Sequence, residues 1–254
     1  SMLSGFANAS VKPEGSSVNF DTAQETFTAR YTHETLALAF SITEEAIEDN
    51  LYDSLSARYT KALARAMAYT KQVKAASLLN GAFSGTTYGD GKVLCATDHP
   101  LVSGGTNSNR PTTGADLNET SLEAAVIQIG QWTDERGLKI AAQPKKLIIP
   151  SDLQFVATRL LETEGRVGTA DNDVNALANN GSVPGGYAVN HYLTEANQWF
   201  LTTDIPNGLK HFVRAKMATS MDADFDTGNS RYKARERYSF GVSDPLGIFG
   251  SPGA

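Results

Sequence analysis

The stretch Asp53-Ser-Leu-Ser-Ala-Arg-Tyr-Thr-Lys-Ala-Leu-Ala-Arg-Ala-Met-Ala-Tyr-Thr-Lys-Gln-Val-Lys-Ala-Ala-Ser-Leu-Leu-Asn80 decides the architecture of this chain. Leu55, Tyr59, Leu63, Ala66, Thr70, Val73 and Ser77 recur at three- and four-residue spacing, the period of one helix face. Arg58, Lys61, Arg65, Lys71 and Lys74 lie mostly off that stripe, and neither Gly nor Pro interrupts it before Gly81. The spacing predicts a helix over about 53–82. At 1.5 Å per residue it forms a rod of about 42 Å. Such a rod is long for one ordinary domain of a 254-residue chain.

The segments upstream read differently. Residues 1–19 are rich in Gly, Ser, Asn and Pro and predict a flexible or extended stretch, with 1–12 as a short arm. The start Ser1-Met2 reads as vector-derived, and the arm as processed or trimmed. In the stretch 24–42, Phe27, Ala29 and Tyr31 share one face, and Leu36, Leu38, Phe40 and Ile42 the other. This predicts a long strand whose buried face switches midway, preceded by a hairpin that projects from the body. Thr43 then caps an acidic helical turn, Glu44-Glu-Ala-Ile-Glu48, followed by Asp49.

Downstream, 84–118 is loop-like, with an Asp90-Gly91 turn before Val93–Ala96. Thr120-Ser-Leu-Glu123 reads as a capping box that opens a helix to about Arg136, with Gly137 ending it and Leu122, Val126, Ile129 and Trp132 on its apolar stripe. Lys146–Ile149 reads as a buried strand. Pro150-Ser-Asp-Leu-Gln154 opens another helix to about Gly165, and a short one is expected at 173–178. Strands are expected at 187–193, 199–203, 209–213 and 231–242. The fold class is α+β.

Composition narrows the function. Hydrophobic residues make up 41% and charged residues 20%, enough for a packed core. The net charge of −6 argues against a dedicated nucleic-acid binder. The lone Cys95, in an apolar run, excludes an intrachain disulfide framework and reads as a buried, inert thiol. No apolar run approaches a membrane span, so no membrane partner is expected.

The motifs for chemistry fall short. Asp222-Ala-Asp-Phe-Asp-Thr-Gly228 suggests a calcium loop, but Thr227 stands where the loop needs glycine and Lys233 where it needs glutamate. Asp98-His99 suggests metal ligands or an acid–base pair, but a histidine held by a neighbouring carboxylate is the simpler reading. Gly89-Asp-Gly91 lacks the third glycine of a dinucleotide fingerprint. A metal-dependent enzyme using Asp98, His99 and the 222–226 aspartates is the alternative from another class; no enzyme activity, cofactor or metal is expected. The segment Arg231-Tyr-Lys-Ala-Arg-Glu-Arg-Tyr-Ser-Phe-Gly-Val242 separates at period two. Arg231, Lys233, Arg235 and Arg237 form one face; Tyr232, Ala234, Glu236, Tyr238, Phe240 and Val242 form the other. The cationic face is solvated, meets carboxylates of another subunit, or faces DNA phosphate.

Several strings together resemble major head subunits of tailed phages, including the Mu-like head-subunit group. They are Tyr31-Thr-His33, Glu48-Asp-Asn-Leu-Tyr52, Leu63-Ala-Arg-Ala-Met-Ala-Tyr-Thr-Lys71, Leu94-Cys95, Asp98-His-Pro-Leu101, Asp134-Glu-Arg-Gly-Leu-Lys139 with Pro144, Gly168-Thr-Ala-Asp-Asn-Asp173, Thr203-Asp204, Asn207-Gly-Leu-Lys210, and Tyr232-Lys-Ala-Arg-Glu-Arg-Tyr-Ser-Phe-Gly241 with Asp244-Pro245. The resemblance runs from about residue 13 to the end. It implies a Hong Kong 97 type capsid fold, with an E-loop hairpin at 13–43, a P-domain at 44–118 around the spine helix, an A-domain at 119–230, and a return to the P-domain at 231–254. It implies a shell of hexamers and pentamers around double-stranded DNA, in a virion assembled in the host cytoplasm, with scaffold, portal and decoration proteins as further partners. The candidate contacts between subunits are Arg30, Glu44, Glu45, Glu48, Asp49, Arg231, Lys233, Arg235 and Arg237. Loops near 165–186 would meet around the capsomer axis. An encapsulin-type compartment is the alternative within the same fold.

Overall fold

A computed structural model describes residues 4–9, 20–23, 25–49, 53–165 and 173–254. The expected E-loop hairpin at 13–43 and the loop at 165–186 therefore lie partly outside the described residues. In chain order the elements are β1 (Glu34–Ile42), α1 (Glu44–Glu48), α2 (Asp53–Asn80), β2 (His99–Pro100), β3 (Thr106–Asn107), α3 (Glu119–Gly130), β4 (Pro144–Ile149), α4 (Gln154–Leu161), α5 (Ala176–Asn179), β5 (Tyr187–Val189), β6 (Trp199–Thr203), β7 (Leu209–Ala223), β8 (Ser230–Val242) and β9 (Ile248–Ser251). They form two compact units. One comprises Ser1–Arg30, Ser77–Lys210 and Val242–Ala254; the other comprises Tyr31–Ala76 and His211–Gly241.

The first unit is built on a four-stranded sheet in the order β5-β4-β6-β9. β4 pairs with β5 in parallel and with β6 antiparallel. Strand alternation places Leu147, Ile149, Trp199, Leu201 and Phe249 on one face, in a core shared with Leu122, Ala125 and Ile129 of α3 and Ala157 of α4. Ile148, Phe200 and Ile248 lie on the other, packed with Leu79, Ala82, Leu94 and Cys95. The sheet is thus buried on both faces, which explains its near-continuous apolar strands. Gly250 is required here: a Cβ would meet the Phe200 ring at 2.7 Å and the Cys95 sulfur at 2.9 Å.

The helix starts and stops differ from expectation. The box that opens α3 is Asn118 with Ser121, each side chain bonded to the other's backbone N–H, and Thr120 and Glu123 do not form it. α3 ends at Gly130 because Trp132 turns inward, where its indole N–H donates to the Ser108 carbonyl at 2.8 Å. The chain then forms a tight turn through Gly137, at φ 82°. A 3-10 turn over Ser151–Leu153 precedes α4, which ends at Leu161.

The second unit packs α2 on a three-stranded sheet in the order β1-β8-β7. Leu63, Met67 and Ala234 form its buried core, flanked by Leu36 and Phe40. Phe40 stacks on Tyr232 at 5.0 Å. α2 agrees with its predicted span, but its buried stripe is rotated. Tyr59 and Val73 are exposed, whereas Met67 and Ala76 are buried. Lys71 and Lys74 reach over the sheet side, to Glu236 and Glu34 respectively. A carboxylate buried at Glu236 needs a cation, and this overrides the apolar spacing. The long strand expected from residue 24 begins only at Glu34. β7 extends to Ala223, ten residues beyond Val213, where it was expected to end.

Candidate assembly surfaces

The sheet of the second unit presents two chemically distinct faces. β8 alternates as predicted: Ala234, Glu236 and Tyr238 are buried, whereas Arg231, Lys233, Arg235 and Arg237 are exposed. The antiparallel register sets these cations beside Ser41, Ala39, Ala37 and Thr35 of β1 respectively. All four neighbours are short, so the cations stand clear of the sheet. Contacts at both ends of the β7–β8 ribbon fix which β7 positions share their face. At one end Tyr31 covers Gly241 and packs on Phe212 at 4.8 Å. At the other, Arg231 pairs with Asp224 at 2.5 Å. Even-numbered β7 residues therefore lie with odd-numbered β8 residues, which adds Arg214 and Lys216 to the cationic face. Sequence reasoning missed both because it ended the strand at Val213, although Val213, Ala215, Met217 and Met221 alternate with Arg214, Lys216, Ser220 and Asp222 beyond it.

The opposite face of β8 carries an ion pair buried at its glutamate end. Lys71 Nζ lies 2.5 Å from Glu236 Oε2 and 5.1 Å from the centre of the Tyr238 ring. Glu236 is only 2% exposed. Beyond this core, β7 continues with Val213, Met217 and Met221 exposed, and Phe225 at the ribbon tip is fully exposed. These four residues recur every fourth position, so the edge strand carries an apolar row without cover among the described residues.

The acidic helix α1 keeps Glu44, Glu45, Glu48 and Asp49 exposed, with Ile47 among them. The Glu44 carboxylate lies over the ribbon turn, where Gly228 has φ 68° and a Cβ would overlap it. Asp224 accepts from Thr227 Oγ1 and pairs with Arg231, so this carboxylate closes the turn. Arg30, in the first unit, is exposed in an irregular segment.

In the first unit His99 is buried and both ring nitrogens are engaged. Nδ1 lies 2.5 Å from Asp90 Oδ2, and Nε2 lies 3.1 Å from Asn109 Oδ1. Asn109 Nδ2 donates to the carbonyls of Leu94, Pro245 and Ile248, so its Oδ1 must be the acceptor. Both ring nitrogens of His99 are thus taken up, Nδ1 by the Asp90 carboxylate and Nε2 by Asn109. The histidine is held by Asp90, while the adjacent Asp98 pairs with Lys92. Burial pushes the Asp90 carboxyl up, but the hydrogen bonds from His99 and the Lys92 N–H outweigh it and hold Asp90 below its ordinary value. Burial pushes the Cys95 thiol far up, which leaves it inert. Among the described residues, no group of three His, Cys, Asp or Glu side chains is arranged to hold a metal ion.

A cleft of about 320 Å³ in the same unit is bordered by Asp134, Glu135, Asp204 and Asp244. Each carboxylate already serves the backbone: Asp134 accepts from the N–H of Arg136 and Leu138, Glu135 from Val102, Asp204 from Gln143 and Asp244 from Leu246. The cluster builds turns.

The molecule thus pairs a long helix with a narrow sheet that carries an exposed ribbon, beside a separate α+β unit. The chain belongs to the phage capsid protein family, whose model matches residues 25–250. No curated protein matches it. Solved structures share the fold at low identity. The capsid of Myoviridae phage XM1 is 10% identical, with TM-score 0.57 over 100% of this chain and 84% of that one. The capsid of cyanophage P-SCSP1u is 13% identical, with TM-score 0.58 over 97% and 80%. The capsid of bacteriophage JBD30 is 12% identical, with TM-score 0.57 over 76% and 84%. The chain is a structural capsid subunit of the Hong Kong 97 type, and its place is the virion.

Proposed function

We propose that copies of this subunit associate into hexamers and pentamers that tile an icosahedral head around double-stranded DNA. The family match over residues 25–250 carries this reading. In it, 13–43 is the E-loop, 44–118 the P-domain with α2 as spine, 119–230 the A-domain and 231–254 the return to the P-domain. The subunit contributes packing surface and performs no chemistry.

The physical support is the cost of leaving the ribbon bare. β7 is a fifteen-residue edge strand with exposed methionines. Soluble monomers avoid long bare edges, because unpaired N–H and C=O groups recruit other chains. Obligate contacts commonly bury about 2,000–5,000 Å², enough to cover such a ribbon. Arg30 and the acidic residues Glu44, Glu45, Glu48 and Asp49 supply charged contacts between copies, and loops near 165–186 line the capsomer axis. Assembly takes place in the host cytoplasm with scaffold, portal and decoration proteins.

Negative-stain microscopy of concentrated protein tests this. Regular shells, tubes or capsomers are the expected result. Monomers alone at high concentration, by light scattering, would count against it. Small DNA-free shells around a protein cargo would favour the encapsulin-type compartment instead.

A further inference from the structure

We propose that the outer face of the β1-β8-β7 sheet is a sequence-independent docking surface for duplex DNA. The inference rests on the capsid reading only for its choice of polyanion. Six cations share this face: Arg214 and Lys216 from β7, and Arg231, Lys233, Arg235 and Arg237 from β8. The chain as a whole carries a net charge of −6, with 22 Lys and Arg against 28 Asp and Glu. Concentrating six cations on one sheet face runs against that balance.

The composition of the face selects the partner. Its other members include Thr35, Ala37, Ala39 and Ser41 on β1, Ala218 and Ser220 on β7, and Ser239 on β8, which bonds His33. A protein interface needs an apolar centre, which this face lacks. Phosphate contacts, by contrast, draw on Arg, Lys, Ser and Thr. The apolar members, Tyr31 and Phe212, pack on each other at the Gly241 end. The carboxylates Asp222 and Asp224 sit at the far end, and Asp224 takes up Arg231. The other five cations make no ion pair among the described residues.

Spacing supports the same assignment. Alternate residues of a strand are about 6.8 Å apart, so Arg231 to Arg237 spans about 20 Å. Six phosphates of one DNA strand occupy about that length, at 3.4 Å each. The opposite face of β8 is packed on α2, so the cations have one direction in which to act. The contacts read charge and not base edges, because they come from a flat face and not from an element inserted in a groove.

The test is a fluorescence-anisotropy titration of the full chain with a labelled 20-base-pair duplex from 50 to 200 mM salt. About four neutralised phosphates predict an affinity about 150-fold weaker at the higher salt, and equal binding of unrelated duplexes. Lys233→Ala/Arg235→Ala is expected to reduce that salt response to about 12-fold. Lys233→Arg/Arg235→Lys, which keeps the charge, is expected to bind as the natural sequence does. Circular dichroism confirms that both variants are folded. Absence of salt-dependent binding, or a double alanine variant that binds unchanged, overturns the proposal. So does tighter binding of a peptide spanning Thr43–Asp49, lost in the same variant, since the face would then join two copies. Shells formed by the natural sequence but not by the alanine variant would overturn it equally. Absence of shells from both bears on assembly alone, and the titration still decides.

Discussion

At the scale of single residues, His99 is a fastener held by a carboxylate, Asp90 in place of the adjacent Asp98. A histidine beside an aspartate, in Asp98-His99, suggested metal or acid–base chemistry. In the fold the ring is locked between Asp90 and Asn109, and Asn109 gathers three carbonyls from two distant segments. Asp90 is an ionised acceptor here, and a hydrogen bond to a charged group contributes about 1.5–3 kcal/mol. Asp90→Asn should therefore lower stability at pH 7 by about that amount, read from urea unfolding. The pH dependence has a definite sign. Asp90 is held below its ordinary value, so it contributes stability above about pH 4 and loses it as acid protonates the folded form. The gap between the natural sequence and Asp90→Asn should narrow on acidification. A gap that stays constant to pH 2 would show that Asp90 does not act as a carboxylate here.

At the scale of elements, α2 and its sheet carry the clearest lesson about legibility. The span of α2 was readable because the helix period persists without a breaker. Its buried face was less so, because the apolar stripe competed with two carboxylates on the sheet. Glu236 sits among tyrosines at period two, and only strand pairing reveals that it faces α2. Lys71→Met alone should cost about 3 kcal/mol, since it leaves Glu236 buried without a cation. Lys71→Met/Glu236→Leu should recover most of that loss, because an apolar pair of similar volume avoids the desolvation cost. A double variant no better than the single would reject this coupling. In the first unit, Phe200→Ala should cost about 3–5 kcal/mol, measured by denaturant unfolding, because the ring fills the space between Phe83, Cys95 and Gly250.

At the scale of the whole molecule, the ribbon distinguishes this chain from an ordinary monomer. Met217 and Met221 are 49% and 65% exposed on an edge strand, and Phe225 stands fully in solvent at its tip. Met217→Lys/Met221→Lys should leave the melting temperature within a few degrees, since neither side chain belongs to a core. The same change should abolish regular shells in negative stain, because charge on a strand edge blocks association. Normal shells from this variant would place the contacts between copies elsewhere. The division of labour was partly legible. The cations of β8 were read from period two, and Arg214 and Lys216 were legible by the same signal, since apolar and polar residues alternate from Val213 to Asp222. Pairing with β8 fixes which face they share.

The sequence by itself determined the α+β class, the span of the long helix and the period-two face of β8, all of which follow from local periodicity. It also carried the family strings, which follow from order along the chain. Only the tertiary structure decided which face of α2 is buried, which face β7 shares with β8, and that His99 belongs to Asp90 and not to Asp98. Those outcomes depend on what an element packs against. A helix spacing states that a face exists, but the partner's charge and shape decide which residues must fill it.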